Sequence, residues 1–297
     1  DPTPSATQCI VDLGLGPRTR RPAPTLRLRT HSRFRTDAMI GEFGGSGRPL
    51  LISHATGFHG TCYRQIARRL HDVRHCWAPD LRGHGDTNVP NDDRFDWAGM
   101  AEDLCAVLDH MELDEPIDFV GHSMGGKVAM ELALTEPARV EKLVVADIAP
   151  VTYADHHQVI LDALQQVAAR GCQTRTEAEA LLGEVIDDPG VVGYLLMSLQ
   201  RGAEGEVFQW RFNLAGLASA YGQLREAPSE TAPFQGHTLF LKGSESAYIQ
   251  ASHEREIQRR FPCSQLVTVH EAGHWLHIDQ PEQFNGAVRG FLLAEAG

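Results

Sequence analysis

The chain reads as an α/β protein: a mostly parallel, eight-stranded sheet with helices on both faces and an inserted helical cap. Three observations predict this. Short apolar runs alternate with amphipathic helical patterns through most of the 297 residues, as repeated strand-helix crossover units require. Several runs, such as Lys142–Asp147, are apolar at almost every position, which suits strands covered on both faces. From about Val151 to Pro228 the alternation stops and helical spacing prevails. That stretch is too long for a loop and too poor in strands to extend a sheet.

The elements follow in order. Residues 1–36 form a basic tail rich in Pro and Thr, with seven Arg (Arg18, Arg20, Arg21, Arg27, Arg29, Arg33 and Arg35) against two Asp. An Arg-rich, acid-poor segment suits an organelle transit peptide, or a solvated tail leading into an edge strand at Thr25–His31. No apolar core of a secretory signal is visible. Strand-like runs then fall at Ala38–Phe43, Pro49–Ser53, His75–Pro79, Ile117–Gly121, Lys142–Asp147, Thr238–Lys242 and Gln265–His270. Helical patterns fall between them at Tyr63–Leu70, Trp97–Met111, Gly126–Leu134, Ser252–Phe261 and Gln283–Leu293. The first two of these strands are closely joined and predict an antiparallel pair at the sheet edge. Within the cap, helices are expected at Val159–Ala169, Thr176–Ile186, Val191–Gln200 and Phe208–Leu224. The expected division is a tail over 1–36, an α/β core over 37–150 and 229–297, and a cap over 151–228.

Composition narrows the function. Lys and Arg number 27 against 39 Asp and Glu, a formal charge of −12, and because the tail is basic the body is more acidic still. Such a body repels phosphate backbones and anionic lipid, so no nucleic-acid partner is expected. The longest apolar run, around Leu143–Ala149, is broken by Asp147 and falls far short of the roughly 18 residues that span a bilayer. No stable membrane insertion is expected. The six cysteines (Cys9, Cys62, Cys76, Cys105, Cys172 and Cys263) are scattered without a C-x-x-C pair. They read as free thiols of a reducing setting, cytoplasmic or soluble organellar. Fifteen histidines include no H-E-x-x-H, and the adjacent His156 and His157 would point to different helix faces, so no metal is expected.

The most informative residues are Gly121-His122-Ser123-Met124-Gly125-Gly126. A bare Gly-x-Ser-x-Gly is a weak signal, but this one follows the apolar run Ile117–Val120 and opens the helical run Lys127–Leu134. That is the strand-turn-helix setting of a nucleophile elbow. Glycines on both sides of Ser123 permit a turn in which side chains would collide, and the helix behind it aims N–H groups at a developing anion.

With these residues the chain resembles the α/β-hydrolase superfamily over about residues 38–294. The resemblance extends to the Asp80-Leu81-Arg82-Gly83-His84-Gly85-Asp86 loop and to Ala272-Gly273-His274-Trp275 after the last strand. Finer agreement lies in the elbow with its following Lys127, in Asp147–Val151, in Trp210–Leu214 and in Gly273–His277. It is similar there to the small-esterase branch containing the bacterial esterase YbfF and its animal abhydrolase relatives. The resemblance implies an α/β-hydrolase fold and a serine hydrolase whose groups follow the chain order serine, acid, histidine.

On that basis Ser123 is the expected nucleophile and His274 its base, with His277 and His270 as neighbouring competitors; His84 and His122 read as structural. The acid departs from the common pattern. After the strand Thr238–Lys242 most members place an Asp, whereas this chain has Gly243-Ser244-Glu245-Ser246-Ala247. Ser246 holds the expected place but carries no charge to stabilise an imidazolium. Asp147, 24 residues after Ser123, lies at the end of the preceding strand, where some members keep their acid. A carboxylate in that apolar run also needs a reason to be buried. Asp147 is the preferred acid, with Ser246 as its hydrogen-bond partner or surrogate and Glu245 third; a cap on the turn Ile148-Ala149-Pro150 is the structural alternative. The oxyanion hole should use the N–H groups of Met124 and of Thr56, where Ala55 replaces the usual glycine of the His-Gly-x loop. Phe58, Tyr153, Trp210 and Trp275, with Phe208, Phe212 and Tyr221, are candidate pocket residues.

The expected function is a serine carboxylesterase acting on small to medium acyl esters or thioesters, with no cofactor and a small-molecule ester as partner. C–C bond hydrolase, lactonase, amidase or perhydrolase chemistry is the alternative, as is a ligand-binding member without catalysis. Nothing in the sequence sets an oligomeric state.

Overall fold

In the computed structural model, residues 25–29, 37–87, 95–155, 158–202 and 207–295 are described. The rest of the basic tail, Cys9 and the pair His156 and His157 lie outside them. The strands are β1 (Thr25–Arg29), β2 (Asp37–Gly44), β3 (Pro49–Ser53), β4 (His75–Pro79), β5 (Ile117–His122), β6 (Val140–Ala146), β7 (Leu199–Arg201), β8 (Phe208–Trp210), β9 (His237–Gly243) and β10 (Ser264–Val269). All but β7 and β8 form one eight-stranded sheet in the order β1-β2-β4-β3-β5-β6-β9-β10. Pairing is antiparallel between β1 and β2 and between β2 and β4, and parallel elsewhere in it.

One expectation fails at the edge. β2 and β3 do not pair, because β4 lies between them. The connecting loop explains why. Ser46 donates its N–H to the His71 carbonyl at 3.0 Å, and a Cβ on Gly45 would collide with the Arg74 and His71 carbonyl oxygens. The loop is therefore pressed across the chain entering β4 and delivers β3 to the far side of that strand.

The helices are α1 (Arg64–Leu70), α2 (Trp97–His110), α3 (Met124–Thr135), α4 (Gln158–Arg170), α5 (Arg175–Gly183), α6 (Pro189–Leu196), α7 (Leu214–Ser219), α8 (Tyr221–Leu224), α9 (Glu254–Arg260), α10 (Leu276–Asp279) and α11 (Pro281–Leu293). Side chains alternate across the sheet into two cores. Phe119, Val145 and Phe240 pack with α2, α3 and α9 through Leu104, Leu108, Val128, Leu132 and Ile257. Their neighbours Val120, Val144 and Leu239 face the other way and pack with α1 and α11 through Ile66, Leu70, Phe284 and Val288. Burial on both faces is what the continuous apolar runs required.

Between β6 and β9 the chain makes its excursion, with α4, α5 and α6 packed around Leu164, Val167, Leu182 and Val192. The expected all-helical cap needs correction. Leu199–Arg201 and Phe208–Trp210 form an antiparallel ribbon, and Phe208 also donates its N–H to the Cys172 carbonyl at 2.8 Å. Strands of three residues are too short to display a period in the sequence.

Candidate active site

β5 ends at His122, and Ser123 follows with φ 54° and ψ −119° before α3 begins at Met124. A serine held at positive φ is costly, about 1–3 kcal/mol, and persists only where its surroundings over-determine it. Here they do. A Cβ on Gly121 would strike the Gly125 carbonyl oxygen, and one on Gly125 would lie 2.6 Å from the Ser53 hydroxyl oxygen. The Ser123 N–H donates to the Ala146 carbonyl at 3.0 Å, and Gly125 donates to the His54 carbonyl at 3.0 Å. Only glycine fits those positions, so the turn stands proud of the sheet with its side chain at the N-terminus of α3.

Asp147 leaves the end of β6 with φ 49° and is fully buried. Its Oδ2 accepts from His274 Nδ1 at 2.8 Å and from the Ser246 hydroxyl. Its Oδ1 accepts from the Gly243 N–H at 3.1 Å. The buried charge is thus met by donors on both oxygens, as burial demands. Its carboxylate is occupied by these groups from β9 and the two loops beyond it. Ser246 touches the carboxylate and accepts from the Tyr248 N–H at 3.2 Å. Glu245 is exposed.

With its Nδ1–H given to Asp147, the His274 ring keeps Nε2 as its free base; the tautomer follows from this bond. Tyr248 stacks on the ring at 4.0 Å. The competing histidines sit elsewhere. His277 stacks on Tyr63 at 5.0 Å, and burial beside His274 pushes its pKa down to about 3. His270 pairs through its backbone with Gln283 on the exposed side.

A buried relay ties this histidine loop to the loop after β3. His122 Nε2–H donates to the His274 carbonyl at 2.8 Å, and its Nδ1 accepts from the Tyr63 hydroxyl at 2.7 Å. That hydroxyl accepts from the Ala55 N–H at 3.1 Å. Burial, with His274 and His277 nearby, holds the His122 pKa well below the usual histidine range, so the ring stays neutral and keeps one donor and one acceptor. Tyr63→Phe would orphan the buried His122 Nδ1 and the Ala55 N–H, at roughly 1–3 kcal/mol each. We expect kcat on a short ester to fall at least about tenfold at temperatures where circular dichroism shows the variant folded. Wild-type kcat in a folded variant would dismiss the relay.

Ser123, His274, Thr56 and Met124 line one cavity of about 310 Å³. Phe58, Tyr153, Phe212, Tyr221 and Trp275 share its wall with Leu161, Leu164 and Leu195 of the excursion. Trp210 does not join them and is a correction. Its ring packs within the excursion's own core and its Nε1 donates to the Leu164 carbonyl at 3.0 Å. Phe212, stacked on it at 5.5 Å, reaches the wall instead. Phe208 packs in the same core as Trp210.

Several residues of this site escape a reading of the sequence: Tyr63, Tyr248, Lys127 and Arg225. Lys127 alone carries a signal, its place directly behind the elbow. It is 2% exposed and lines the cavity, a setting in which an unpaired ammonium requires an explanation.

Against known proteins, the model of the alpha/beta hydrolase family matches residues 50–287. The chain is an alpha/beta hydrolase. This hydrolase is 41% identical over 248 residues to the mouse protein named sn-1-specific diacylglycerol lipase ABHD11, covering 82% of this chain and 78% of that one. It is 33% identical over 229 residues to esterase YbfF of Escherichia coli, covering 76% and 86%. Among solved structures, a marine microorganism esterase superposes with a TM-score of 0.81 at 33% identity, covering 86% of this chain and 98% of that one. With an animal lipase and a bacterial esterase both related along most of its length, the hydrolase is a serine ester hydrolase. No helix of the described residues is long and apolar enough to cross a membrane.

Proposed function

We propose that this hydrolase cleaves carboxylic esters or thioesters of small to medium acyl groups through an acyl-enzyme on Ser123. The observation that carries the proposal is the His274–Asp147 pair, at 2.8 Å, opening on the same cavity as the strained serine. Ser123 Oγ attacks the carbonyl, and His274 Nε2 takes its proton and returns it to the leaving alkoxide or thiolate. Asp147 holds the imidazole in that tautomer and stabilises the imidazolium, with Ser246 and Gly243 steadying the carboxylate. The N–H groups of Met124 and Thr56 take the oxyanion, and water repeats the sequence to release the acid. Residues 151–228 serve as the cap, which supplies the apolar wall for the acyl chain. The acidic body supports a small-molecule substrate in preference to nucleic acid.

A fluorophosphonate probe, applied to wild type and Ser123→Ala, tests the assignment. Labelling should vanish in the variant, and wild type should hydrolyse a p-nitrophenyl ester series with an optimum at short to medium acyl length. Undiminished labelling of Ser123→Ala would refute it. Glycerol esters belong in the same panel, since the mouse relative is named for a diacylglycerol substrate.

A further inference from the structure

Away from the catalytic residues the cavity wall is mostly apolar, and two cations line it. Lys127 lies one helical turn beyond Ser123, its N–H bonded to the Ser123 carbonyl at 3.1 Å. Its Nζ donates to the Val151 carbonyl at 2.5 Å and to the Glu226 carbonyl at 2.9 Å, beneath the Tyr153 ring at 5.1 Å. Arg225 donates from Nη1 to the Tyr153 carbonyl at 3.3 Å and lies 5.4 Å over the Tyr221 ring. Both cations are thus tied to the two segments through which the cap leaves and re-enters the body. Both line the cavity. Their acceptors are neutral carbonyls; among the described residues neither cation has a carboxylate in ion-pair contact.

Each also has a donor in hand. An ammonium carries three N–H groups, of which Lys127 spends two, and the buried Nε of Arg225 has no partner. Desolvation, with the Arg260 charge added, pushes the Lys127 pKa down to about 7 against the pull of the Glu226 carboxylate. An arginine and a lysine lining one mostly apolar cavity, both bonded to the Val151–Tyr153 segment, are suited to a carboxylate, whose two oxygens would take one charge-assisted bond from each.

Resting on the acyl-enzyme reading above, we infer that this part of the cavity binds an anion, and that the preferred substrates are esters whose acyl chain ends in a carboxylate. The short path along α3 from Ser123 to Lys127, about 5.4 Å of rise per turn, calls for a spacer of a few methylenes. A plain acyl chain of that length leaves both donors facing apolar surface; a carboxylate-terminated one satisfies them.

The test compares mono-4-nitrophenyl adipate with 4-nitrophenyl hexanoate, each corrected for Ser123→Ala background, by the ratio of their kcat/KM values. Wild type should favour the adipate. Charge-assisted bonds contribute roughly 1.5–3 kcal/mol, so the ratio should fall about tenfold or more in Arg225→Gln and recover in part in Arg225→Lys. Lys127→Met, read by the same ratio, supplies the second arm. Wild type turning over hexanoate as well as or better than adipate, or a ratio unmoved in Arg225→Gln and Lys127→Met, overturns the inference while leaving the esterase standing. Ser123-independent turnover of both esters overturns the acyl-enzyme reading and this inference with it.

Discussion

Asp147→Asn should lower kcat by about 10³–10⁴-fold while leaving the fold intact. An asparagine keeps the shape and the oxygen that Gly243 N–H uses at 3.1 Å. What changes is the atom facing His274. The Ser246 hydroxyl and His274 Nδ1–H both donate to Oδ2 while Gly243 N–H donates to Oδ1, so an amide turned to satisfy the first two loses the third. If its NH₂ faces His274, the imidazole must accept at Nδ1 and carry its proton at Nε2, the wrong nitrogen for accepting the Ser123 proton. If its oxygen faces His274, the tautomer survives but the charge that stabilises the imidazolium is gone. Ser246→Ala removes one neutral donor to a carboxylate that retains two others, and its effect should stay within about 10–100-fold. Kinetics on one short ester compares the two. A Ser246→Ala loss exceeding that of Asp147→Asn would transfer the acid's role away from Asp147.

That ordering is partly legible in the amino-acid sequence. A carboxylate within Val144-Val145-Ala146-Asp147-Ile148 cannot be buried without partners, and the fold supplies them. The elbow is legible because the steric demand at Gly121 is local, set by the Gly125 carbonyl, and the demand at Gly125, set by Ser53 of β3, falls two residues from the nucleophile and so completes the same short pattern. The sheet's alternation is legible because strands buried on both faces must be apolar throughout. Strand order is not, since the passage of β3 across β4 depends on Ser46 meeting His71, a contact made only after both segments have folded. The relay from Tyr63 through His122 to the His274 carbonyl joins three segments far apart in sequence, and nothing around Tyr63 marks it as part of a site. Trp210 and Phe212 likewise look alike in the sequence. Only the position of the ribbon's end decides that the second reaches the cavity and the first anchors the cap.

The same buried histidines should make the protein acid-labile. His59 and His84 are pushed down to about 4 and His277 to about 3, in each case chiefly by burial. His54 and His122 are lowered for the same leading reason. In the unfolded chain each titrates near the ordinary 6.5. A depressed folded value means the unfolded state binds more protons below pH 6.5, so stability is complete above that pH and is lost as pH falls toward 4. At pH 5 the loss is on the order of 2 kcal/mol for each fully shielded ring. With several such rings the loss becomes a large part of the stability of a typical domain. Burial raises the carboxyls of Asp80, Asp118 and Asp279; these take up protons in the folded state before unfolded carboxyls do near pH 4 and so act in the opposite sense, but the rings outnumber them. Thermal melts from pH 8 to pH 5 should therefore show Tm falling steeply below pH 6.5, in addition to the rise above pH 7 that the lowered Lys127 ammonium gives. A Tm at pH 5 within a few degrees of that at pH 7.5 would mean that these rings can protonate in place, and that the neutral His122 on which the relay depends is not maintained.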